Sequence, residues 1–119
     1  MTIPLAIVRA AGFFGVLAII VLSLVPGADR PHTDLPGKAE HFIAYCSTAS
    51  ALAFGFRTRA AWIRIVVGLT LLATSMELLQ LWVPGRHSAI SDAVVSSLGG
   101  LLGIVLGGVV FFRFAATTP

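Results

Sequence analysis

Four long apolar runs, separated by short polar connections, form the dominant pattern along the chain. Each run is roughly 20 residues long, the length that an α-helix needs to cross the hydrocarbon core of a bilayer. Pro26-Gly27 and Pro84-Gly85 follow the first and third runs, and such pairs are typical helix terminators. The pattern predicts four membrane-spanning helices, at about Leu5–Val25, Ala39–Phe56, Ile63–Val83 and Ile90–Arg113.

The connections between these runs predict the architecture. Arg57–Trp62 and Pro84–Ala89 are too short to let consecutive helices lie far apart, so neighbouring helices should be antiparallel. We therefore expect an all-α, up-down-up-down four-helix bundle that forms one domain over residues 1–119. The first run is interrupted by Arg9, and its part from Ala10 to Val25 is an alternative candidate for a cleaved signal peptide. It is longer than the apolar core of such peptides, about 7–15 residues, which favours a retained helix.

Composition supports a membrane protein and excludes other classes. Hydrophobic residues make up 57% of the 119 residues and charged residues 11%, against about 45–50% and about 25% in soluble domains. The eight Lys and Arg residues form no basic run, so no nucleic-acid partner is expected. Cys46 is the only cysteine, which excludes an intramolecular disulfide. The expected partner is the lipid bilayer.

The arginines predict the orientation. Five of them, with no acid, fall on one side of the predicted bundle: Arg9, Arg57, Arg59, Arg64 and Arg113. The other side carries fewer cations and four acids: Arg30, Lys38 and Arg86 with Asp29, Asp34, Glu40 and Asp92. The positive-inside rule therefore places both termini in the cytoplasm of a multi-pass protein of the cell (inner) membrane. The first and third connections then face outward.

Polar residues inside these helices mark a predicted site. Glu77 and Gln80 lie on one face of the third helix, and His41 and Tyr45 share a face of the second. With Asp92 and Ser96 on the fourth helix, they concentrate near the outward ends. Such residues are expensive in lipid and are commonly functional. The predicted ligand-binding site comprises Lys38, His41, Tyr45, Glu77, Gln80, Arg86, Asp92 and Ser96.

Glu77 needs either a proton or a partner, because a charged carboxylate inside a membrane costs several kcal/mol. Arg86 follows the Pro84-Gly85 turn, which can reverse the chain toward the bundle. We predict that Arg86 folds inward and reaches Glu77 either directly or through Gln80 and water. The structural alternative is a protonated Glu77 that only links helices.

The fourth helix carries a stripe of small residues, Gly99, Gly103 and Gly107. Glycines at this spacing let two helix backbones approach closely. They favour packing within the bundle, with a homodimer through the fourth helix as the alternative.

Three segments of the chain resemble one known family. Lys38-Ala-Glu-His41-Phe42-Ile-Ala-Tyr45 is similar to the DKxxHFxxY signature of the VanZ-like family. Glu77–Gln80, Pro84-Gly85-Arg86 and Ser91-Asp92 resemble its ExxQ…PGR…sD pattern, and Asp92–Gly103 resembles DxxxNxxGxxxG. The chain departs from these patterns twice, with Gly37 in place of Asp and Ser96 in place of Asn. Glu40 is a candidate replacement for the missing carboxylate.

The resemblance implies a cell-envelope protein, since the family is named for a protein associated with low-level teicoplanin resistance. We predict an outward site that binds an anionic lipid or envelope precursor. Arg86 would clamp the anion and Lys38 would add charge, while Gln80, Tyr45 and Ser96 orient the ligand.

Two alternatives stay open. The first is a membrane-embedded acid–base enzyme acting on a lipid-linked substrate, with His41 and Glu77 as the pair and Asp92 orienting the imidazole. The second is a small proton-coupled exporter that uses Glu77. An enzyme is the less favoured class. The spacing of His41, Glu77 and Asp92 is too unspecific to predict a metal centre, and no cofactor is expected.

Overall fold

The computed structural model describes the backbone of residues 3–117 and the side chains of residues 3–114. The described chain contains four α-helices: α1 (Leu5–Leu24), α2 (Gly37–Gly55), α3 (Arg59–Gln80) and α4 (Ile90–Thr117). One turn of 3₁₀-helix at Gly27–Asp29 follows α1, and residues 3–117 form no β-strand. The predicted all-α class and the number of helices are confirmed.

Three of the helices are long and apolar enough to cross a membrane: Leu5–Leu24, Arg59–Gln80 and Ile90–Phe114. Their outward surfaces carry large exposed apolar side chains such as Phe14, Leu71 and Val105, as expected where lipid covers the protein. Helix α2 is more polar and packs against α1 on one side and α4 on the other. Its neighbours cover polar positions such as Thr48, which is buried.

The predicted limits of α3, residues 63–83, are each displaced by a few residues. The helix begins at Arg59 because the Thr58 hydroxyl caps it, accepting a hydrogen bond of 3.1 Å from the Ala61 N–H. It ends at Gln80, where tighter turns take over, as in the 3.2 Å bond from Leu81 N–H to the Leu78 carbonyl. Glu77 therefore lies less than one helical turn from the end of α3.

The glycine stripe of α4 faces α2. A Cβ added to Gly99 would lie 2.6 Å from the Phe42 carbonyl oxygen, and one on Gly107 would lie 2.5 Å from the Ser50 carbonyl oxygen. Gly103 is packed as tightly against Cys46. The Ser50 hydroxyl donates to the Gly103 carbonyl oxygen at 3.0 Å and links the two backbones. The homodimer through α4 stays a prediction, and it would need a different face of that helix.

Helix α1 approaches α2 through small residues that the sequence analysis did not single out. A Cβ on Gly12 would lie 2.7 Å from the Leu52 Cγ, and one on Gly15 would collide with the Thr48 hydroxyl. At the start of α1, Arg9 donates from Nε to the Gly55 carbonyl oxygen at 2.8 Å. This bond satisfies a carbonyl at the end of α2 that has no partner within its helix.

The two Pro-Gly connections lie against each other. The Gly27 N–H donates to the Pro84 carbonyl oxygen at 2.9 Å, and a Cβ on Gly27 would collide with the Gly85 carbonyl. Gly85 has φ 73°, a conformation that glycine adopts without strain. These connections, the ends of α1 and α3 and the starts of α2 and α4 form one region, residues 22–45 and 77–96, which we call the site end.

Candidate functional site

Three side chains from three helices converge at the site end. One ligand atom each from His41 of α2, Glu77 of α3 and Asp92 of α4 lie within 4.8 Å of one another. Glu77 is buried, with 6% exposure, and the other two are half-buried. We call these three residues the His-Glu-Asp cluster. The structure thus brings these three predicted site residues together from three different helices.

The connection between α3 and α4 folds back over Glu77. The Ala89 N–H donates to Glu77 Oε2 at 2.9 Å, and the Ser88 hydroxyl donates to the Glu77 carbonyl oxygen at 2.6 Å. Ala89 directly precedes α4, so the carboxylate lies at the N-terminus of that helix, where the dipole favours negative charge. The backbone at the start of α4 thus supplies the hydrogen bond to Glu77.

The predicted direct contact between Arg86 and Glu77 is wrong. Arg86 donates from Nε to the Val25 carbonyl oxygen at 2.8 Å, and its guanidinium also donates to the Leu22 carbonyl oxygen. Backbone carbonyls in the last turn of a helix lack partners of their own, and the end of α1 attracts the cation for that reason. Partial burial lowers the pKa of the Arg86 guanidinium, and the charge of nearby Arg30 lowers it further.

Gln80, like Arg86, donates a hydrogen bond to a backbone carbonyl at the end of α1. Its Nε2 donates to the Ser23 carbonyl oxygen at 3.0 Å in a buried bond. Both residues therefore hold the end of α1 against the loop after α3.

Lys38 pairs with Asp92 across the starts of α2 and α4. The Lys38 Nζ lies 2.6 Å from Asp92 Oδ1 and donates to the Ser91 hydroxyl at 2.8 Å. The ammonium balances one of the two carboxylate charges of the His-Glu-Asp cluster. Tyr45 and Ser96 lie deeper, at 2% and 1% exposure.

A cleft of about 380 Å³ opens between α1, α2 and the first connection. Its walls are apolar and include Phe14, Ala18 and Ala44. Its polar lining includes Arg30 and Thr33 of the first connection, Glu40 and His41 of α2, and Arg86 of the connection between α3 and α4. His41 therefore borders both the cleft and the His-Glu-Asp cluster.

Arg30 and Glu40 form an ion pair at the cleft, and the Thr33 hydroxyl donates to the same carboxylate. Glu40 was the candidate replacement for a missing carboxylate beside Lys38, but it pairs with Arg30 instead. The sequence analysis did not include Arg30 in the site. Its opposite charge to Glu40 was the one available signal, and no fixed spacing connected the two.

A model of the VanZ/LLP1 family matches residues 3–112 of the chain. The chain belongs to the VanZ/LLP1 family. No curated protein and no solved structure shows significant similarity to it.

Most of the residues that carry the VanZ resemblance lie at the site end. Lys38 and His41 reach Asp92 from α2, and Glu77 reaches it from α3. The first departure from the VanZ pattern, Gly37, faces open space, because a Cβ added there would meet nothing within 4 Å. The second, Ser96, is buried on α4.

Proposed function

We propose that this VanZ/LLP1 protein binds an anionic, amphipathic lipid or lipid-linked envelope precursor in the cleft between α1 and α2. The observation that carries the proposal is the combination of apolar walls and two arginines in one cleft.

The cleft suits an amphipathic ligand in both size and chemistry. Ligand sites commonly measure about 300–1,000 Å³ and are mainly apolar with a few polar groups, and this cleft measures about 380 Å³. Phe14 on its wall is 70% exposed, so hydrocarbon could enter from the bilayer. A chain of the ligand would lie along Phe14 and Ala18.

The charges at the cleft favour an anion. Arg30 and Arg86 contribute two positive charges and Glu40 one negative charge, which leaves a surplus of one cation. Arg86 uses two of its nitrogens on the carbonyls of α1. We therefore assign the main head-group contact to Arg30, with Arg86 as the second charge, in place of the predicted clamp by Arg86 with added charge from Lys38.

The proposed orientation places the cleft outside the cell. We propose an up-down-up-down bundle in the cell (inner) membrane with both termini in the cytoplasm. The arginines without acids at the other end support this arrangement. The site end, with its acids and its cleft, then meets envelope lipids in the outer leaflet.

Lipid retention by the purified protein tests the proposal. Native mass spectrometry would compare adducts of phosphatidylglycerol, undecaprenyl phosphate and phosphatidylcholine on the wild type. We expect the anionic lipids to be preferred, and Arg30→Gln to lower that preference roughly tenfold, since one charge-assisted contact contributes about 1.5 kcal/mol. Arg64→Gln, an exposed arginine outside the site end, is the matched control. Equal retention by wild type, control and Arg30→Gln would contradict the proposal.

A link to glycopeptide resistance is a further part of this proposal. An outward site that holds an envelope precursor could change how much of it teicoplanin reaches. We expect expression to raise the teicoplanin concentration that inhibits growth, and Arg30→Gln to lose the effect. Unchanged inhibition by the wild type would remove this part of the proposal.

The convergence of the His-Glu-Asp cluster supports a second candidate function. His41 and Glu77 could act as an acid–base pair on a lipid-linked substrate bound in the cleft, with Asp92 positioning the imidazole. Turnover of such a substrate by purified protein, lost in His41→Ala, would favour the enzyme. Binding without turnover would favour the ligand-binding protein.

A further inference from the structure

We infer that His41, Glu77 and Asp92 form a binding site for one divalent metal ion of the zinc or manganese class. The inference rests on the geometry, donor chemistry and charge of the cluster, and it does not depend on the proposed lipid ligand.

The spacing of the three ligand atoms suits a shared ion. Because they lie within 4.8 Å of one another, a point at most about 2.8 Å from all three exists between them. Zinc–ligand distances are about 2.0–2.2 Å, so each side chain needs to move by less than about 1 Å. No hydrogen bond or ion pair within residues 3–114 ties down the His41 side chain, and it is free to make that movement.

The donor set selects the class of metal. One imidazole with two carboxylates combines a borderline nitrogen ligand with hard oxygen ligands, a mixture found around zinc and manganese. Calcium and magnesium favour oxygen ligands alone. The cluster contains no thiolate, since Cys46 is the only cysteine of the chain and is not part of it, so a soft-metal site is not indicated.

The local charge favours a cation. Two carboxylates, Glu77 and Asp92, face one another, and Lys38 balances only Asp92. Glu77 is 6% exposed, and its carboxylate is bonded to a backbone N–H but to no cationic side chain within residues 3–114. A buried, uncompensated carboxylate is unfavourable, and a divalent ion supplies the missing positive charge.

The groups around the cluster resemble the outer shell of a metal site. The Ala89 N–H holds Glu77 Oε2 at 2.9 Å, and the Lys38 ammonium holds Asp92 Oδ1 at 2.6 Å. Each carboxylate is therefore oriented through one oxygen while its second oxygen is available. Hydrogen bonds of this kind fix metal ligands in place.

Metal titration of the purified full chain tests the inference. Protein in detergent, stripped with EDTA, would be titrated with Zn²⁺ and with Mn²⁺ by calorimetry. We expect one equivalent to bind per chain, and His41→Ala to weaken binding at least about a hundredfold, since even outer-shell changes cost about 10–100-fold. His41→Ala breaks no hydrogen bond among the described residues 3–114, and its thermal unfolding without metal should match the wild type.

The chain offers matched controls for the imidazole. His32 and His87 are exposed and lie outside the cluster, so His32→Ala and His87→Ala should bind the metal as the wild type does. X-ray absorption of the zinc form should show one imidazole and oxygen ligands. Absence of stoichiometric binding, loss of binding in either control, or wild-type affinity in both His41→Ala and Glu77→Gln would overturn the inference. Proton uptake by the cluster without metal binding would also overturn it.

Discussion

The two ends of the bundle are stabilised by different kinds of interaction. At the site end, charged side chains pair with each other, as Lys38 does with Asp92 and Arg30 with Glu40. The other end, residues 9–13, 53–64 and 108–114, has arginines but no acids, and we call it the arginine end. There the Arg9 guanidinium lies 4.6 Å from the centroid of the Phe56 ring, and Arg57 lies 4.6 Å from that of Phe111.

The aromatic contacts at the arginine end suit a membrane interface. Trp62 packs edge-on against Phe112, and its indole N–H donates to the Ala53 carbonyl oxygen at 2.9 Å. Arginine and tryptophan combine an apolar body with a polar tip and anchor helices at the lipid headgroups. The arginine end therefore resembles an anchor, and the site end collects titratable groups around a cleft. The few charged residues are thus divided between two settings, aromatic contacts at the arginine end and ion pairs around the cleft at the site end.

Disruption of the close contact between α2 and α4 should have the largest effect on stability. A Cβ at Gly103 would collide with the Cys46 carbonyl, so Gly103→Ala should lower the free energy of unfolding by about 1–3 kcal/mol. Gly100 lies on the same helix, and a Cβ there would approach Leu69 only to 3.9 Å. Gly100→Ala should be neutral or stabilising. Unfolding in detergent measures both, and equal effects would show that the α2–α4 contact is looser than described.

The site end offers a sharper test, because the structure separates Glu77 from Arg86. Arg86→Ala should cost about 1 kcal/mol through the α1 carbonyls that it leaves without a protein donor. Glu77→Gln should cost less, since an amide oxygen can still accept from Ala89. Residues that share no partner are expected to couple weakly, and their effects add within about 0.5 kcal/mol once they lie more than about 7–10 Å apart. A double-mutant cycle measured by unfolding should therefore show no coupling between the two residues. Coupling above about 1 kcal/mol would indicate a direct interaction between Arg86 and Glu77.

The smallest expected effect is a difference between the two ends in how the stability cost of a substitution depends on salt. Lys38→Met removes an exposed ion pair that contributes less than about 1 kcal/mol, and this loss should fade in about 1 M salt because the pair is screened. Arg57→Met removes contacts with Phe54 and Phe111, and its cost should depend less on salt. Thermal unfolding across a salt series compares them. The same salt dependence for both variants would contradict the division between the ends.

The sequence predicted those features that depend on depth and periodicity. Four apolar runs became four helices, and His41, Glu77 and Asp92 met because each lies near the end of its helix that belongs to the site end. The positions of residues along the helices could not predict the partner of Arg86, because the carboxylate of Glu77 and the unpaired carbonyls at the end of α1 lie within reach of the same loop. The carbonyls attract it, as the bonds to Leu22 and Val25 show.

The cleft could not be predicted because it depends on the distance between helices. Gly12 and Gly15 bring α1 close to α2, and the turn at Gly27–Asp29 then carries Arg30 back to Glu40. Small residues on a membrane helix are common, and nothing in their spacing identified the partner helix. The start of α3 was missed for a local reason, since the Thr58 cap extends the helix by one turn beyond the apolar run.

Photo-crosslinking is the most direct test of whether the cleft holds an anionic amphipathic lipid. Phosphatidylglycerol with a diazirine in its acyl chain would be incorporated with the protein into nanodiscs, irradiated, and mapped by mass spectrometry of the peptides. A lipid held in the cleft should concentrate the labelling on Phe14, Ala18 and Ala44. This labelling should be reduced in Arg30→Gln and absent with the matching phosphatidylcholine probe. Labelling spread evenly over the exposed apolar surfaces of α3 and α4, and insensitive to Arg30→Gln, would contradict lipid binding in the cleft.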